Sequence, residues 1–228
     1  VMGSGIAQTL AVAGYETVCC DSAPAALERA KIGVVSGRFG MESAVARGKL
    51  SREAMGAALS RLTWSDSLAM AAVADLIIEC VPERLELKIR IFRELDRLAK
   101  PTAILASNTS GFSIAALAAA TDRAERVVGW HWASPPPVMK FAEIVAAEHT
   151  SQATIETVVE VANACGKNPV VVKDTPMAWG FVANRVYFAM IREAQRVVDE
   201  GIATREQVNA LMVDCFRWPV GPFAMVEG

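Results

Sequence analysis

The sequence predicts an α/β protein with a doubly wound, mostly parallel sheet, followed by an all-helical segment. Short continuous runs of Val, Ile and Leu, such as DLIIECV at 75–81, alternate with helical segments as far as residue 173. Such strands are typical of parallel sheets covered by helices on both faces. Beyond residue 177 the strand pattern stops and two long helical segments follow. We therefore predict one domain over 1–176 and an incomplete helical domain over 177–228.

The spacing of the apolar residues places the elements in order. Helices are expected at 2–13, at two places within 24–60, and at 83–99, 113 onward, 152–165, 181–200 and 204–216. Strands are expected at 16–20, 75–81, 102–106, 126–130, 141–146 and 169–173. Gly14 and Gly166 stand where glycine commonly ends a helix.

The composition narrows the classes of partner. A net charge of −2 gives no electrostatic case for nucleic acid as a partner. No apolar run approaches the ~18 residues of a membrane span, so no membrane partner is expected. The five cysteines form no C-x-x-C pair, which disfavours a zinc site and a disulfide framework. We expect reduced thiols, a cytoplasmic location and no metal.

The N-terminal segment VMGSGIAQ carries part of a dinucleotide-binding pattern. That pattern is a strand, then G-x-G-x-x-G, then a helix, with an acid about 20 residues further on. Gly3 matches the last glycine and Asp21 the acid, so the first strand of a Rossmann-like sheet is expected to be missing before Val1. Asp21 would bind a ribose 2′-hydroxyl, and no nearby Arg would hold a 2′-phosphate, which favours NAD over NADP. Ordinary glycine packing, with Asp21 as a turn residue, is the alternative.

Three further segments carry candidate chemistry. The polar run 107–111, SNTSG, follows a strand, where loops of a doubly wound sheet face the ligand crevice. His131 ends an apolar strand, and Glu143 lies within the apolar run FAEIVA. Because a buried carboxylate is costly unless paired, a His–Glu pair is predicted, either catalytic or a structural salt bridge. Asn184 opens a long helix, as a capping residue or as an amide that faces the crevice.

The order and spacing of these motifs resemble the L-3-hydroxyacyl-CoA dehydrogenases over essentially the whole chain. The segments that carry the resemblance are MGSGIAQ, ECVPERLELK, ASNTSG, GWHWASPPPVMKFAEIV, DTPMAWGFVANR and WPVGPF. The resemblance implies that His131 is the general base for oxidation of a 3-hydroxyl group and that Glu143 orients it. It also implies that Ser110 and Asn184 hold the substrate oxygen and the thioester region.

The resemblance also implies an NAD site. Its expected cofactor-binding residues are Met2, Gly3, Asp21, Glu83, Lys88, Asn108 and Ser134. The backbone of Met2 and Gly3 would meet the pyrophosphate, and Glu83 and Lys88 the nicotinamide ribose. A plain ion pair on a solvated helix is the alternative for Glu83 and Lys88. Ser134 replaces a family Asn, so that contact is expected to be lost or mediated by water.

The leading hypothesis is an NAD-dependent 3-hydroxyacyl-CoA dehydrogenase of fatty-acid β-oxidation or a related acyl-CoA pathway. One alternative is a related dehydrogenase of carnitine or a sugar acid, for which Ser134 and about three extra residues in DTPMAWGF leave room, although VMKFAEIV favours the acyl-CoA branch. The other is an NAD-binding relative without turnover. By resemblance, the protein is expected to form a homodimer through its helical domain. Basic residues within 28–55 are expected to meet CoA phosphates or, more simply, to form a solvated face.

Overall fold

A computed structural model describes residues 2–175 and 178–227. The chain divides into two compact units, Val1–Ala178 and Trp179–Gly228. Residues 1, 176, 177 and 228 lie outside the described residues.

Helices and strands alternate throughout the first unit. Its helices are α1 (Met2–Val12), α2 (Pro24–Ser36), α3 (Met41–Ala46), α4 (Arg52–Ser60), α5 (Leu68–Ala71), α6 (Leu85–Leu98), α7 (Ile114–Ala118) and α8 (Gln152–Ala164). Its strands are β1 (Thr17–Cys20), β2 (Leu62–Ser65), β3 (Leu76–Glu79), β4 (Ile104–Ser107), β5 (Val127–Trp132), β6 (Phe141–Ala146) and β7 (Asn168–Lys173). The alternation confirms the predicted α/β class.

The strands form two sheets. β1 pairs with β2 in parallel, and a five-stranded sheet has the order β3-β4-β5-β6-β7. Strands β3, β4 and β5 are parallel, β6 is antiparallel to β5, and β7 is parallel to β6. The predicted mostly parallel sheet is thus confirmed, with a reversal of direction between β5 and β6.

Helix α1 contributes to the cores of both sheets. Ile6 packs in the cluster of the five-stranded sheet with Trp130, whereas Ala7 and Ala11 pack with Leu62 of β2. Consecutive residues of a helix point about 100° apart, whereas residues four apart lie on one face. Ile6 can therefore face one sheet while Ala7 and Ala11 face the other. The N-terminal turn of α1 is thereby held at the edge where β3 and β5 end.

The region 24–60 was predicted as two helices, and this is wrong. The structure has three, because α2 stops at Ser36 and α3 starts at Met41. A side chain at Gly37 would place its Cβ only 2.4 Å from the carbonyl oxygen of Gly33, so the turn between the two helices requires glycine. Strand β5 also extends two residues beyond its predicted end at Trp130, which places His131 within the strand.

The two faces of the five-stranded sheet differ in chemistry. Alternate residues of β4 and β5, among them Ala106, Val128 and Trp130, pack on one face with α1 and α8. The intervening residues point to the other face, where a Cβ on Gly129 would lie 2.9 Å from Ile114 of α7. This second face carries the polar and charged side chains.

The second unit consists of α9 (Ala183–Asp199), α10 (Arg205–Phe216) and α11 (Pro222–Glu227). Its small core contains Ala194, Val208 and Phe223. Thr204 and Gln207 form a capping box at the start of α10, so the predicted start of that helix is confirmed. None of the helices in 2–175 and 178–227 has the length and apolar character that a membrane crossing requires.

Candidate active site

Three polar side chains lie along the carboxyl edge of the parallel strands. Glu79 ends β3 and pairs in register with Ser107, which ends β4. Ser107 pairs with Gly129 of β5, so His131 lies two residues beyond that line on the same face of the sheet. The carboxyl edge of a doubly wound sheet is where such folds bind ligands.

His131 and Glu143 form a buried pair across two strands. They are direct partners in the antiparallel pairing of β5 with β6. The imidazole Nδ1 lies 2.7 Å from Glu143 Oε2, and the two residues are only 7% and 4% exposed. The ring of Phe141 meets the imidazole edge-on, with centroids 5.2 Å apart. The predicted contact between His131 and Glu143 is therefore present, and it holds the imidazole in one orientation.

The loop that follows β4 is tied to its surroundings by side chains at both ends. Glu83 Oε1 accepts hydrogen bonds from the Thr109 hydroxyl (2.5 Å) and from the Ser110 backbone N–H (2.9 Å). Asn108 Oδ1 accepts a hydrogen bond from the backbone N–H of Trp132 (2.9 Å). Since Trp132 adjoins His131, Asn108 connects the loop that carries Ser110 to the strand that carries His131.

Lys88 is deeply buried. The ion pair with Glu83 that was the alternative interpretation is present, but its lysine is not on a solvated face as that interpretation required. The residue is 1% exposed, and Nζ lies 2.9 Å from Glu79 Oε1 and 3.2 Å from Glu83 Oε2. The Glu83 side chain is 36% exposed and lies at the rim of this cluster. Glu83 is thus the more accessible of the two residues predicted to meet the nicotinamide ribose.

The N-terminal turn of α1 lies beside the same edge. A Cβ on Gly3 would approach Cys80, just after β3, at 3.5 Å, and one on Gly5 would approach Pro136, after β5, at 3.1 Å. The first backbone amides of a helix have no acceptor within the helix and favour phosphate. Asp21 follows β1, and its Oδ1 accepts a hydrogen bond from Ala23 N (2.9 Å) in a turn. These donors and this carboxylate fit the pyrophosphate and the ribose of a dinucleotide.

The segment after β5 is held by a buried lysine. Nζ of Lys167 donates hydrogen bonds to the carbonyl oxygens of Pro136 (2.5 Å) and Met139 (2.8 Å). It also lies 5.1 Å from the ring centre of Trp132. Burial lowers the pKa of Lys167. The loop with Ser134, an exposed residue, is therefore fixed at its base.

Asn184 belongs to the second unit, in the first turn of α9 as predicted. The preceding turn contains Gly180 with φ +79°, where a Cβ would lie 3.1 Å from Asn184 Cβ. A glycine there lets the chain turn closely over the start of the helix. The role of Asn184 toward substrate stays a prediction.

Comparison with known proteins agrees with this arrangement. Residues 1–175 match the NAD-binding domain of 3-hydroxyacyl-CoA dehydrogenases, and residues 180–227 match their C-terminal domain. The chain belongs to the 3-hydroxyacyl-CoA dehydrogenase family. It is thus an NAD-dependent oxidoreductase, and the predicted family and cofactor are confirmed.

Individual family members are similar over nearly the whole chain. A probable 3-hydroxybutyryl-CoA dehydrogenase of Bacillus subtilis is 38% identical over 226 residues, which are 99% of this chain and 77% of that protein. A 3-hydroxyadipyl-CoA dehydrogenase of Escherichia coli is 37% identical over 99% of this chain and 46% of its own length. The crystal structure of (S)-3-hydroxybutyryl-CoA dehydrogenase from Ralstonia eutropha superimposes with a TM-score of 0.92 at 36% identity, over 98% of this chain and 77% of that one.

Glu79 is a buried residue of the site that the sequence alone does not single out. It is 4% exposed and contacts Lys88 and Ser107. Its signal was available, because an acid within the apolar strand DLIIEC is as costly to bury as Glu143 in FAEIVA. The partner was not apparent, since Ser107 lies 28 positions away and only the sheet register brings it opposite.

Proposed function

We propose that this protein oxidises the 3-hydroxyl group of a 3-hydroxyacyl-CoA to the ketone, with His131 as the general base. The observation that carries the proposal is the buried contact of 2.7 Å between His131 Nδ1 and Glu143 Oε2. A histidine whose second nitrogen is held by a carboxylate is a common arrangement for proton transfer. Its place at the carboxyl edge of parallel strands supports a role in catalysis.

The proposed proton transfer follows from this geometry. Glu143 engages Nδ1, so the 3-hydroxyl proton is taken by Nε2. The imidazolium that forms is stabilised by the adjacent carboxylate, which also keeps the ring from rotating. In the direction of ketone reduction, the same imidazolium returns its proton to the substrate oxygen.

The remaining residues of the proposed site bind and orient the reactants. NAD, when bound, supplies the nicotinamide ring that accepts a hydride. The N-terminal amides at Met2 and Gly3 would hold its pyrophosphate, and Asp21 and Glu83 would hold its riboses. Ser110 and Asn184, on the strength of the family resemblance, would donate hydrogen bonds to the substrate oxygen and thioester region.

The test is a spectrophotometric assay of the purified protein with acetoacetyl-CoA and NADH. We expect loss of the nicotinamide absorbance, with the reverse reaction from 3-hydroxybutyryl-CoA and NAD. Kinetics with a series of straight-chain 3-hydroxyacyl-CoA substrates would measure the preference for chain length. The same assay with 3-hydroxyadipyl-CoA as substrate would measure the preference for a terminal carboxylate. If no acyl-CoA were turned over while carnitine or gulonate was oxidised, the substrate class would be wrong.

We also propose a homodimer in the cytoplasm. Apolar side chains on α9 and α10 support self-association, since Val186 and Leu211 are 66% and 64% exposed. All five cysteines carry free thiols, which suits a reducing compartment. Sedimentation velocity of the purified protein would test the dimer, and a monomer at all concentrations would contradict it.

A further inference from the structure

Glu79 uses both carboxylate oxygens to connect three parts of the active-site edge. Oε1 accepts hydrogen bonds from the backbone N–H of Val81 (2.6 Å) and from Lys88 Nζ (2.9 Å). Oε2 accepts one from the Ser107 hydroxyl (2.7 Å). The turn after β3, helix α6 and the end of β4 therefore converge on a single side chain that is 4% exposed.

Lys88 continues this network toward the rim of the site. Besides Glu79, its ammonium lies 3.2 Å from Glu83 Oε2 and donates to the carbonyl oxygen of Val81 (3.2 Å). An ammonium group has three donors, and these three acceptors match that number. A buried ammonium with matched acceptors is held in one direction, and it fixes the carboxylate of Glu83 in turn.

The network ends on the loop that carries Ser110. Glu83 Oε1 binds the Thr109 hydroxyl and the Ser110 backbone N–H. From the other side, the Ser107 hydroxyl that donates to Glu79 accepts a hydrogen bond from Thr109 N (3.2 Å). Glu79 thus reaches the same loop by two routes, directly through Ser107 and indirectly through Lys88 and Glu83.

We propose that Glu79 is a positioning residue for both cofactor and substrate. It orients the side chains of Lys88 and Glu83, and it sets the position of the 107–110 loop relative to the sheet. It contacts neither NAD nor the substrate. This inference rests on the proposed function, because Glu83 and Ser110 are the groups it would place. Displacement of reacting groups by about 1 Å can lower a rate about 100-fold, so the placement matters for catalysis as well as for folding.

Substitutions at Glu79 separate geometry from charge. Glu79→Gln retains the size of the side chain, since its oxygen can accept from Val81 and Lys88 while its amide donates to Ser107. Glu79→Asp is shorter by one methylene group and cannot span Lys88 and Ser107 together, and Glu79→Ala removes all three contacts. Geometric positioning predicts that the Asp and Ala variants lose function and that the Gln variant recovers most of the loss.

The matched control is Asp96→Ala. Asp96 lies on α6, the helix that carries Lys88. Its side chain is 12% exposed, and it binds Arg123 and the backbone N–H of Asp122, away from the carboxyl edge. For each variant, thermal unfolding, the NADH dissociation constant by fluorescence, and kcat and KM for acetoacetyl-CoA reduction are measured. Glu79→Ala should weaken NADH binding about tenfold and lower kcat/KM about 100-fold, whereas Asp96→Ala should lower only the unfolding temperature.

The outcomes separate the proposed role of Glu79 from the proposed dehydrogenase function. If Glu79→Ala lowered the unfolding temperature but kept NADH affinity and kcat/KM within about twofold of the unmodified protein, Glu79 would be structural only and the inference would be overturned. Should Glu79→Ala fail to fold, the same comparison is made with Glu79→Asp and Ser107→Ala. If the unmodified protein bound NADH but did not reduce acetoacetyl-CoA, the proposed function would fail, and the NADH dissociation constants would decide the role of Glu79 alone.

Discussion

The two ends of helix α6 each carry an ion pair that is largely shielded from solvent, and the two pairs hold different loops. Near its start, Lys88 binds Glu79 at 2.9 Å, and the contacts continue through Glu83 into the loop with Ser110. Near its end, Asp96 binds Arg123 Nε at 2.6 Å, and their side chains are 12% and 11% exposed.

The Asp96–Arg123 pair joins the end of α6 to the turn that follows α7. Arg123 also donates to the carbonyl oxygens of Asp96 (2.7 Å) and Ala99 (3.3 Å), at the end of the helix, and of Lys100 (2.6 Å), just after it. The last carbonyls of a helix have no partner within the helix. Asp96 Oδ2 accepts from the backbone N–H of Asp122 (2.9 Å). Under the proposed function, the same kind of ion pair thus serves catalysis at one end of the helix and stability at the other, depending on which loop it holds.

The largest effect is expected from His131→Gln, which removes the proposed general base. Removal of a general base should lower kcat about 10³-fold, because glutamine cannot accept the hydroxyl proton. NADH binding should change little. The control is His149→Gln at the other histidine, an exposed residue, which should keep full activity in the acetoacetyl-CoA assay. Turnover by His131→Gln close to that of the control would show that another group is the base.

A smaller loss is expected from Glu143→Gln. The amide can place its own N–H toward Nδ1, which drives the imidazole proton to Nε2, where it blocks proton uptake. We expect kcat to fall about 100-fold with a smaller change in KM. Steady-state kinetics in both directions would measure this split. If KM rose and the unfolding temperature fell while kcat stayed unchanged, the pair would instead be a structural salt bridge.

At the opposite end of α6, Asp96→Ala should lower the free energy of unfolding by about 2 kcal/mol, below the cost of breaking a fully buried pair. The reason is that Arg123 loses its counter-ion and the backbone N–H of Asp122 loses its hydrogen-bond acceptor. Urea unfolding measures the change. Kinetic constants in the dehydrogenase assay should stay the same, and a fall in kcat/KM would break the contrast between the two ends of the helix.

The smallest effect concerns Cys80, next to Glu79, at alkaline pH. Burial, and then the nearby Glu79 charge, raise the pKa of its thiol from 9.0 to about 12. Above about pH 9 the unfolded chain ionises this thiol and the folded protein does not, so stability present below pH 9 is lost as the pH rises, by about 1.4 kcal/mol per pH unit.

Urea unfolding of the unmodified protein and of Cys80→Ala, from about pH 8 to about pH 10.5, would measure this slope. The variant should show the shallower decline. Cys19 and Cys165, whose pKa values burial raises to about 11, contribute in the same sense, and Lys167, whose pKa burial lowers, in the opposite sense. These contributions are common to both proteins, so identical slopes would mean that the Cys80 thiol ionises normally in the fold.

Much of the fold could be predicted because hydrophobic spacing is a local property. The strand 141–146 and the start of the helix at Thr204 follow from a few neighbouring residues. Strand β2 and the short helices α5 and α11 were not predicted. β2 has the sequence LTWS, with two polar residues in four, and the two helices span fewer than two turns, so none of the three carries a clear apolar pattern. The break at Gly37 was missed for a related reason, since it depends on a close approach to the Gly33 carbonyl.

By itself, the sequence determined the class of fold, the family and the candidate pair of His131 and Glu143, whose burial in apolar strands demands a partner. Only the tertiary structure decided the register that places Glu143 opposite His131 and Ser107 opposite Glu79. It also decided that Lys88 is a buried member of that network and not a solvated surface residue. Burial and strand pairing arise from contacts between distant segments, and the spacing of residues along the chain does not encode them directly.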